Sequence, residues 1–257
     1  MNRIKDFSDL KDRIVEWIQQ YCVDNSIKSL VIGVSGGIDS AVSSTLAAST
    51  GLPVYALGMP IHQKEDQEVL SDTHLDWLQQ NFSNVIVNKF DLTKVFDTFE
   101  YTMREFGVNE LSLANSRSRL RMMTLYQIAG SVGGIVVGTG NKVEDYGIGF
   151  YTKYGDGGVD IAPIADLYKT EVWKLGEHLG IDQRIIEAQP TDGLWEDGRT
   201  DEDQIGTSYE MLEWVMEKGF YEDPMFLSEE QINAISTYNK FNTQNKHKMI
   251  SIPTFKL

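Results

Sequence analysis

Short apolar runs alternate with amphipathic stretches along the first half of the chain. Leu10, Ile14, Trp17, Ile18 and Tyr21 recur at helical spacing and predict a helix over residues 8–21. Ser29–Val34 reads as a short buried strand, and Asp39–Thr50, rich in Ala and Ser, as the helix after it. Pro53–Met59 and Asn84–Phe90 read as further strands. Between them Lys64–Gln80 is helical, with Val69, Thr73 and Trp77 one turn apart. Leu92–Phe106 and Asn115–Ala129 read as helices, and Gly134–Thr139 as a fourth strand. Apolar strands separated by helices predict an α/β fold. The expected form is a doubly wound parallel sheet with helices on both faces, Rossmann-like.

The pattern stops after Thr139. Asn141–Val159, rich in glycine and aromatics, reads as a long functional loop. From Asp166 onward the chain reads as mostly helical, interrupted by a second loop at Glu187–Thr200. No internal repeat or linker divides it. The expectation is one domain over residues 1–257, with a nucleotide-binding core at about 27–165 and a helical part at about 166–257.

Composition narrows the partners. A net charge of −15 opposes nonspecific binding to nucleic acid or an anionic membrane. Cys22 is the only cysteine, which excludes an internal disulfide and a cysteine-built zinc site. Met1–Leu10 has no apolar signal core, and no apolar run approaches the roughly 20 residues that span a bilayer. A cytoplasmic protein is expected.

The candidate chemistry starts at "GVSGGIDSA", directly after the first strand. This loop lacks the lysine of a Walker loop and the spacing of a dinucleotide fingerprint. Ser35-Gly36-Gly37-Ile38-Asp39-Ser40 instead has the SGGxDS form of a pyrophosphate loop. Gly36 and Gly37 can take φ > 0 and let phosphate oxygens approach the backbone. Their N–H groups and those opening the next helix form an anion nest, and Ser35 and Ser40 add hydroxyls. Asp39 would repel phosphate unless a cation lay between them, which implies Mg²⁺. The competing reading is an ordinary strand-to-helix turn capped by Asp39 or Ser40.

Further runs carry a resemblance. "GTGNKVE" (Gly138–Glu144), "GFYTKYGDGGVDIAPI" (Gly149–Ile164) and "LYKTEVW" (Leu167–Trp173) follow the loop in order. So do "RSRLRM", "PTDGLW", "DEDQIGTSYE" and "KHK". With SGGIDS, these resemble the NAD synthetase family, in its short, ammonia-using type. The resemblance implies an adenine nucleotide alpha hydrolase-like fold. It also implies amidation of nicotinic acid adenine dinucleotide (deamido-NAD) to NAD, through an acyl-adenylate that releases pyrophosphate. The missing lysine then makes sense, because the bond broken lies between the α and β phosphates.

The resemblance implies roles residue by residue. Gly33, Val34, Ser35, Gly36, Gly37, Ile38, Asp39 and Ser40 match ATP-binding positions, as do Thr139, Lys169 and Thr191. Asp39 and Glu144 match Mg²⁺ ligands. Arg119, Lys153, Asp160, His247 and Lys248 match positions for the dinucleotide. Asp156, within TKYGDGG, is the candidate for binding ammonium and taking a proton. A homodimer with the dinucleotide at its interface is implied, and Leu111–Gly130 has an apolar face suited to it. No glutaminase region is recognised, so ammonia is expected from solution or a separate partner. The loops at 141–159 and 191–207 are expected to order over ATP.

Two departures stand out. Many relatives carry Arg where Gly58 stands, leaving the adenine-side contacts open, with Gln63 as a candidate. Many also carry Asp-His where Gly140-Asn141 stand. The competing functions are another pyrophosphate-loop enzyme, such as a GMP-synthetase-like amidase or a tRNA-modifying enzyme, and a non-catalytic ATP-binding module. The acidic charge and single cysteine oppose the tRNA enzyme. TKYGDGG opposes the GMP-synthetase-like one, and the combination of Asp39, Glu144, Lys153 and Lys169 opposes the non-catalytic module.

Overall fold

A computed structural model describes residues 3–191 and 200–256. Helix α1 (Phe7–Asp24) begins at Asp6, whose carboxylate accepts from the Ser8 and Asp9 N–H groups. Strand β1 (Ser29–Gly33) leads into α2 (Ile38–Ser49), β2 (Val54–Gly58), α3 (Glu65–Asn81) and β3 (Val85–Lys89). Then come α4 (Thr93–Met103), α5 (Glu110–Val132) and β4 (Gly134–Val136). The four strands are parallel, in the order β3-β2-β1-β4.

Alternation along β1 sorts the core. Leu30 and Ile32 point to one face, where they pack with Ile18, Val42, Leu46, Leu75 and Leu78 from α1, α2 and α3. Val31 points to the other face, with Leu57, Phe96, Ala129 and Val136. The predicted two-sided cover is therefore present. Order reverses between β1 and β4, so the crevice beyond their C-terminal ends is where ligands of such sheets bind.

Two predicted elements differ. Helix α5 begins five residues earlier than Asn115, because Asn109 and Ser112 form a reciprocal capping box at its start. Strand β4 stops at Val136 rather than Thr139. Beyond it only a single parallel bridge, Val137 to Ile161, continues the pairing.

The expected loop at 141–159 is partly helical. Lys142–Ile148 winds into a wide π-helical turn, opened by Asn141. After it come α6 (Lys169–Leu179), α7 (Gln183–Glu187), α8 (Asp201–Ile205), α9 (Tyr209–Trp214) and α10 (Glu229–Met249). Val143 and Ile148 of the π-turn pack with Ile205, Tyr209 and Leu212, forming a third core that joins this segment to the C-terminal helices. Among the described residues no helix is long and apolar enough to cross a membrane.

Candidate active site

The phosphate loop closes on itself through its serines. Ser40 Oγ donates to the Gly37 carbonyl at 2.9 Å and accepts from the Ser35 N–H at 3.1 Å. The two serine hydroxyls lie 3.1 Å apart. Gly36 has φ 89°, and a Cβ there would stand 2.8 Å from the Ser71 backbone nitrogen and 2.9 Å from the Gln67 carbonyl oxygen. Only glycine fits. Gly37 corrects the sequence reading: its φ is −87°, it caps α2 in extended conformation, and a Cβ there would meet only Ser35 Oγ, at 3.5 Å. Close approach and positive φ thus select Gly36, not the pair.

Asp39 lies in the first turn of α2. Its Oδ2 accepts from Lys169 Nζ at 2.6 Å, and its Oδ1 from Asn141 Nδ2 at 3.1 Å. The same ammonium donates to Glu144 Oε1 at 2.8 Å. Lys169, at the start of α6, is 3% exposed. Residues 130 and 25 positions from it therefore meet on one buried nitrogen.

Asn141 ties the two acids together from below. Its side-chain oxygen accepts from the Val143 and Glu144 N–H groups while its nitrogen holds Asp39. Above Glu144, Tyr209 Oη donates to the same Oε1 at 2.6 Å and stands 3.2 Å from Asp201 Oδ2. Burial opposes the charge on Lys169, yet Asp39 and Glu144 outweigh it and hold the ammonium protonated well above its usual range. Burial would raise Glu144 too, but the Lys169 charge and the bonds from Lys169, Tyr209 and Asn141 bring it below the usual carboxylate range. For Asp39 the balance runs the other way: burial, stronger than the Lys169 attraction, raises its pKa.

Asp145, next to Glu144, fills the space over Gly140: a Cβ at 140 would fall within 2.5 Å of both of its carboxylate oxygens. Burial, and then the Glu144, Asp156 and Asp39 charges, push its pKa well up.

The TKYGDGG run is pinned between α5 and α10. Ser118 Oγ donates to Asp156 Oδ1 at 2.7 Å, and the Thr152 N–H donates to the same oxygen at 3.0 Å. Asp156 is exposed, yet desolvation by the atoms around it raises its pKa against the pull of those donors. Thr152 Oγ1 donates to Asn115 Oδ1 at 2.6 Å. From the other side Lys248 Nζ donates to the Gly149 and Tyr151 carbonyls at 2.9 and 2.7 Å, and burial lowers its pKa. Lys153 Nζ donates to the His247 carbonyl at 2.8 Å, and Arg119 Nε to the Lys153 carbonyl at 3.3 Å.

Four of the five residues picked for the dinucleotide, Arg119, Lys153, His247 and Lys248, thus form one connected basic strip. Asp160 lies apart from it. Its carboxylate accepts from the Val136 N–H at 2.7 Å and from Tyr126 Oη at 3.0 Å, bracing the end of β4. Thr139 is half-buried just beyond β4, and Thr191 is exposed at the edge of the undescribed residues 192–199. Most of the predicted second loop, including the GLWEDGR stretch, lies outside the described residues.

Gly58 leaves room that Leu75 Cδ1 and Lys89 Cγ occupy, 3.1 and 3.5 Å from where a Cβ would be. The guanidinium near this strand end comes instead from α5. Arg121 Nε donates to the Met59 carbonyl at 3.0 Å and Nη2 to Gln63 Oε1 at 3.1 Å, with burial pulling its pKa down to about 10.

A profile of the NAD synthase family matches residues 10–257. The chain belongs to this family. Among relatives, the NH₃-dependent NAD⁺ synthetase of Alkaliphilus metalliredigens is 39% identical over 220 residues, which is 80% of this chain and 85% of that protein. The structure of the NMN synthetase of Francisella tularensis superposes with a TM-score of 0.88 at 30% identity, over 99% of this chain and all of that one. An NH₃-dependent NAD synthetase from Campylobacter jejuni, solved with a nitrate ion, shares the fold with a TM-score of 0.76 at 24% identity, over 98% of this chain and all of that one.

Sequence reasoning within the NAD synthase family missed Tyr209, Asn141, Ser118 and Arg121 as parts of the site. Tyr209 lies in the quoted DEDQIGTSYE run and Asn141 in GTGNKVE. The motifs carried the signal, but only the fold shows that Tyr209 touches Glu144.

Proposed function

We propose that the protein amidates a nicotinate carboxylate with ammonia at the expense of ATP, converting deamido-NAD to NAD. The observation that carries this reading is the meeting of Asp39, Glu144 and Lys169 beside the SGGIDS loop, at the strand ends of a NAD synthase fold.

The loop amides of Gly33–Ser40 and the serine hydroxyls hold the β and γ phosphates as the leaving group, with Thr139 and Thr191 on the nucleotide. The nicotinate carboxylate attacks the α phosphorus and expels pyrophosphate. Ammonia then attacks the acyl carbon, AMP departs with the carboxylate oxygen, and Asp156 takes the proton from nitrogen. Asp160 reaches the substrate while bracing β4. The basic strip of Arg119, Lys153, His247 and Lys248 suits a phosphate-bearing nicotinate, since cations there offset its charge.

Asp39 and Glu144 fit Mg²⁺. Their oxygens converge on one point, the donors are hard carboxylates, and two of them leave positions for phosphate oxygens and water. Mg²⁺ bound there would draw charge from the leaving pyrophosphate. A homodimer is part of the proposal, because Leu111, Met123 and Tyr126 stand exposed on α5.

A second substrate is favoured by one observation. The NMN synthetase structure resembles this chain more closely, at TM-score 0.88, than the Campylobacter NAD synthetase, at 0.76. On that reading the acid is nicotinic acid mononucleotide. The test is pyrophosphate release with ATP and ammonium, against deamido-NAD, nicotinic acid mononucleotide and xanthosine monophosphate. Release with deamido-NAD is expected. Release with the mononucleotide alone would transfer the proposal to it. Release with neither nicotinate would overturn both.

A further inference from the structure

We infer that Lys169 is an internal counterion that holds the metal-binding carboxylates until nucleotide arrives, so that Mg²⁺ binds productively only together with ATP. This rests on the reading of Asp39 and Glu144 as the Mg²⁺ ligands.

The geometry carries it. The Lys169 ammonium touches Asp39 Oδ2 at 2.6 Å and Glu144 Oε1 at 2.8 Å, and the lysine is 3% exposed. Asp39 has a donor on each oxygen, Asn141 on one and Lys169 on the other. Two like cations on the same oxygens would sit within about 4 Å of each other in a recess of low dielectric, where repulsion is strong. The site therefore accepts one cation comfortably, and the built-in one is covalently attached.

The alternative cation brings little of its own. Among the described residues no group of three or more His, Cys, Asp or Glu is placed to hold a metal. Two carboxylates must be completed by phosphate oxygens and water. Mg²⁺ dehydrates reluctantly and gains little from two ligands already satisfied by an ammonium. A triphosphate changes both sides of this balance. It supplies oxygen ligands for the metal and a new anionic partner for Lys169, whose Nζ stands at the helix start facing the phosphate loop's own Asp39.

Lys169 thus does two things in sequence. Before nucleotide binds, it neutralises two part-buried acids that would otherwise repel each other. Afterwards it pairs with phosphate, and the carboxylates pass to the metal. Free Mg²⁺ alone does not open the site.

Mn²⁺ binding followed by electron paramagnetic resonance tests this without turnover. Four proteins are compared with Mn²⁺ alone and with Mn²⁺ plus α,β-methylene ATP: wild type, Lys169→Gln, Lys169→Arg, and Lys169→Gln combined with Asp39→Asn and Glu144→Gln. Wild type and Lys169→Arg should bind Mn²⁺ weakly without nucleotide. Lys169→Gln should bind it about tenfold or more tighter, because the competitor is gone. The triple variant should lose that gain. Equal Mn²⁺ affinity of wild type and Lys169→Gln without nucleotide would overturn the inference while leaving the metal ligands in place. A gain that survives in the triple variant would overturn the metal reading itself. Should Lys169→Gln fail to fold, the wild-type Lys169 ¹⁵Nζ resonance decides. It should be unmoved by Mg²⁺ alone and displaced by Mg²⁺ with the analogue. Displacement by Mg²⁺ alone would refute the inference.

Discussion

The sheet and the charged site beyond its ends are built by opposite means. The sheet core is assembled from near neighbours: Leu30, Val31 and Ile32 in one strand sort side chains to two faces, and each face is filled by the helices on either side. The site is assembled from far ones. Asp39, Asn141, Glu144, Lys169 and Tyr209 come from four segments spread over most of the chain, and each holds the next by a hydrogen bond to charge. The core loses only about 1 kcal/mol when it loses a methylene. The site cannot lose one charge without leaving another buried and uncompensated.

That contrast can be broken most forcefully at the carboxylates. Asp39→Asn or Glu144→Gln should cut pyrophosphate release by about 100-fold or more, with the circular dichroism spectrum retained. A loss under threefold would remove these acids from the proposed chemistry.

The sheet side has its own titrating group. His74 is buried, bonded to Ser44 at 3.0 Å and stacked on Trp77, and burial lowers its pKa to about 4. The unfolded chain, near 6.5, binds this proton first as pH falls. His74 therefore contributes stability that is present above pH 6.5 and is lost as pH drops towards 4, by at most about 3 kcal/mol. Urea unfolding at pH 7 and pH 4.5 should show a steeper loss for wild type than for His74→Gln. Parallel losses would show that His74 carries none of it.

Between the two regions lies the phosphate loop, where adjacent glycines differ. Gly36→Ala should destabilise by about 2 kcal/mol, from a strained φ and contacts under 3 Å with backbone. Gly37→Ala should change stability by less than about 0.5 kcal/mol. Thermal unfolding of both variants checks this, and equal effects would contradict the backbone argument.

A smaller effect than that of Gly36→Ala is expected from Tyr209→Phe. It removes one hydrogen bond to Glu144 and leaves the ring packed, so Mn²⁺ affinity in the presence of ATP analogue should fall about tenfold. An unchanged affinity would mean that Tyr209 only fills space.

The same contrast explains what could be read from sequence. Strand positions and the parallel sheet covered on both faces follow from apolar periodicity and crossover handedness, because each acts over a few residues; the order β3-β2-β1-β4 comes from the fold. The start of α5 was missed because the Asn109 capping box, not hydrophobic spacing, sets it. The SGGIDS loop was legible because its serines and glycine act on one another locally, although Gly37 was given a conformation that only Gly36 needs. Asp39 and Glu144 were legible as motif residues. That they meet on Lys169, and that Tyr209 steadies one of them, depends on how the π-turn and α9 pack, which no local pattern encodes. Asp160 was legible as a motif residue, whereas its bond to the Val136 N–H, which braces the end of β4, shows only in the fold.

The central claim is that the loop holds pyrophosphate while the carboxylate attacks the α phosphorus. Turnover with nicotinate-carboxylate-labelled ¹⁸O deamido-NAD, ammonium and ATP, followed by mass spectrometry of the products, tests it directly. One ¹⁸O should appear in AMP and none in pyrophosphate. Label in inorganic phosphate, accompanied by ADP, would place the attack on the γ phosphorus and contradict the account.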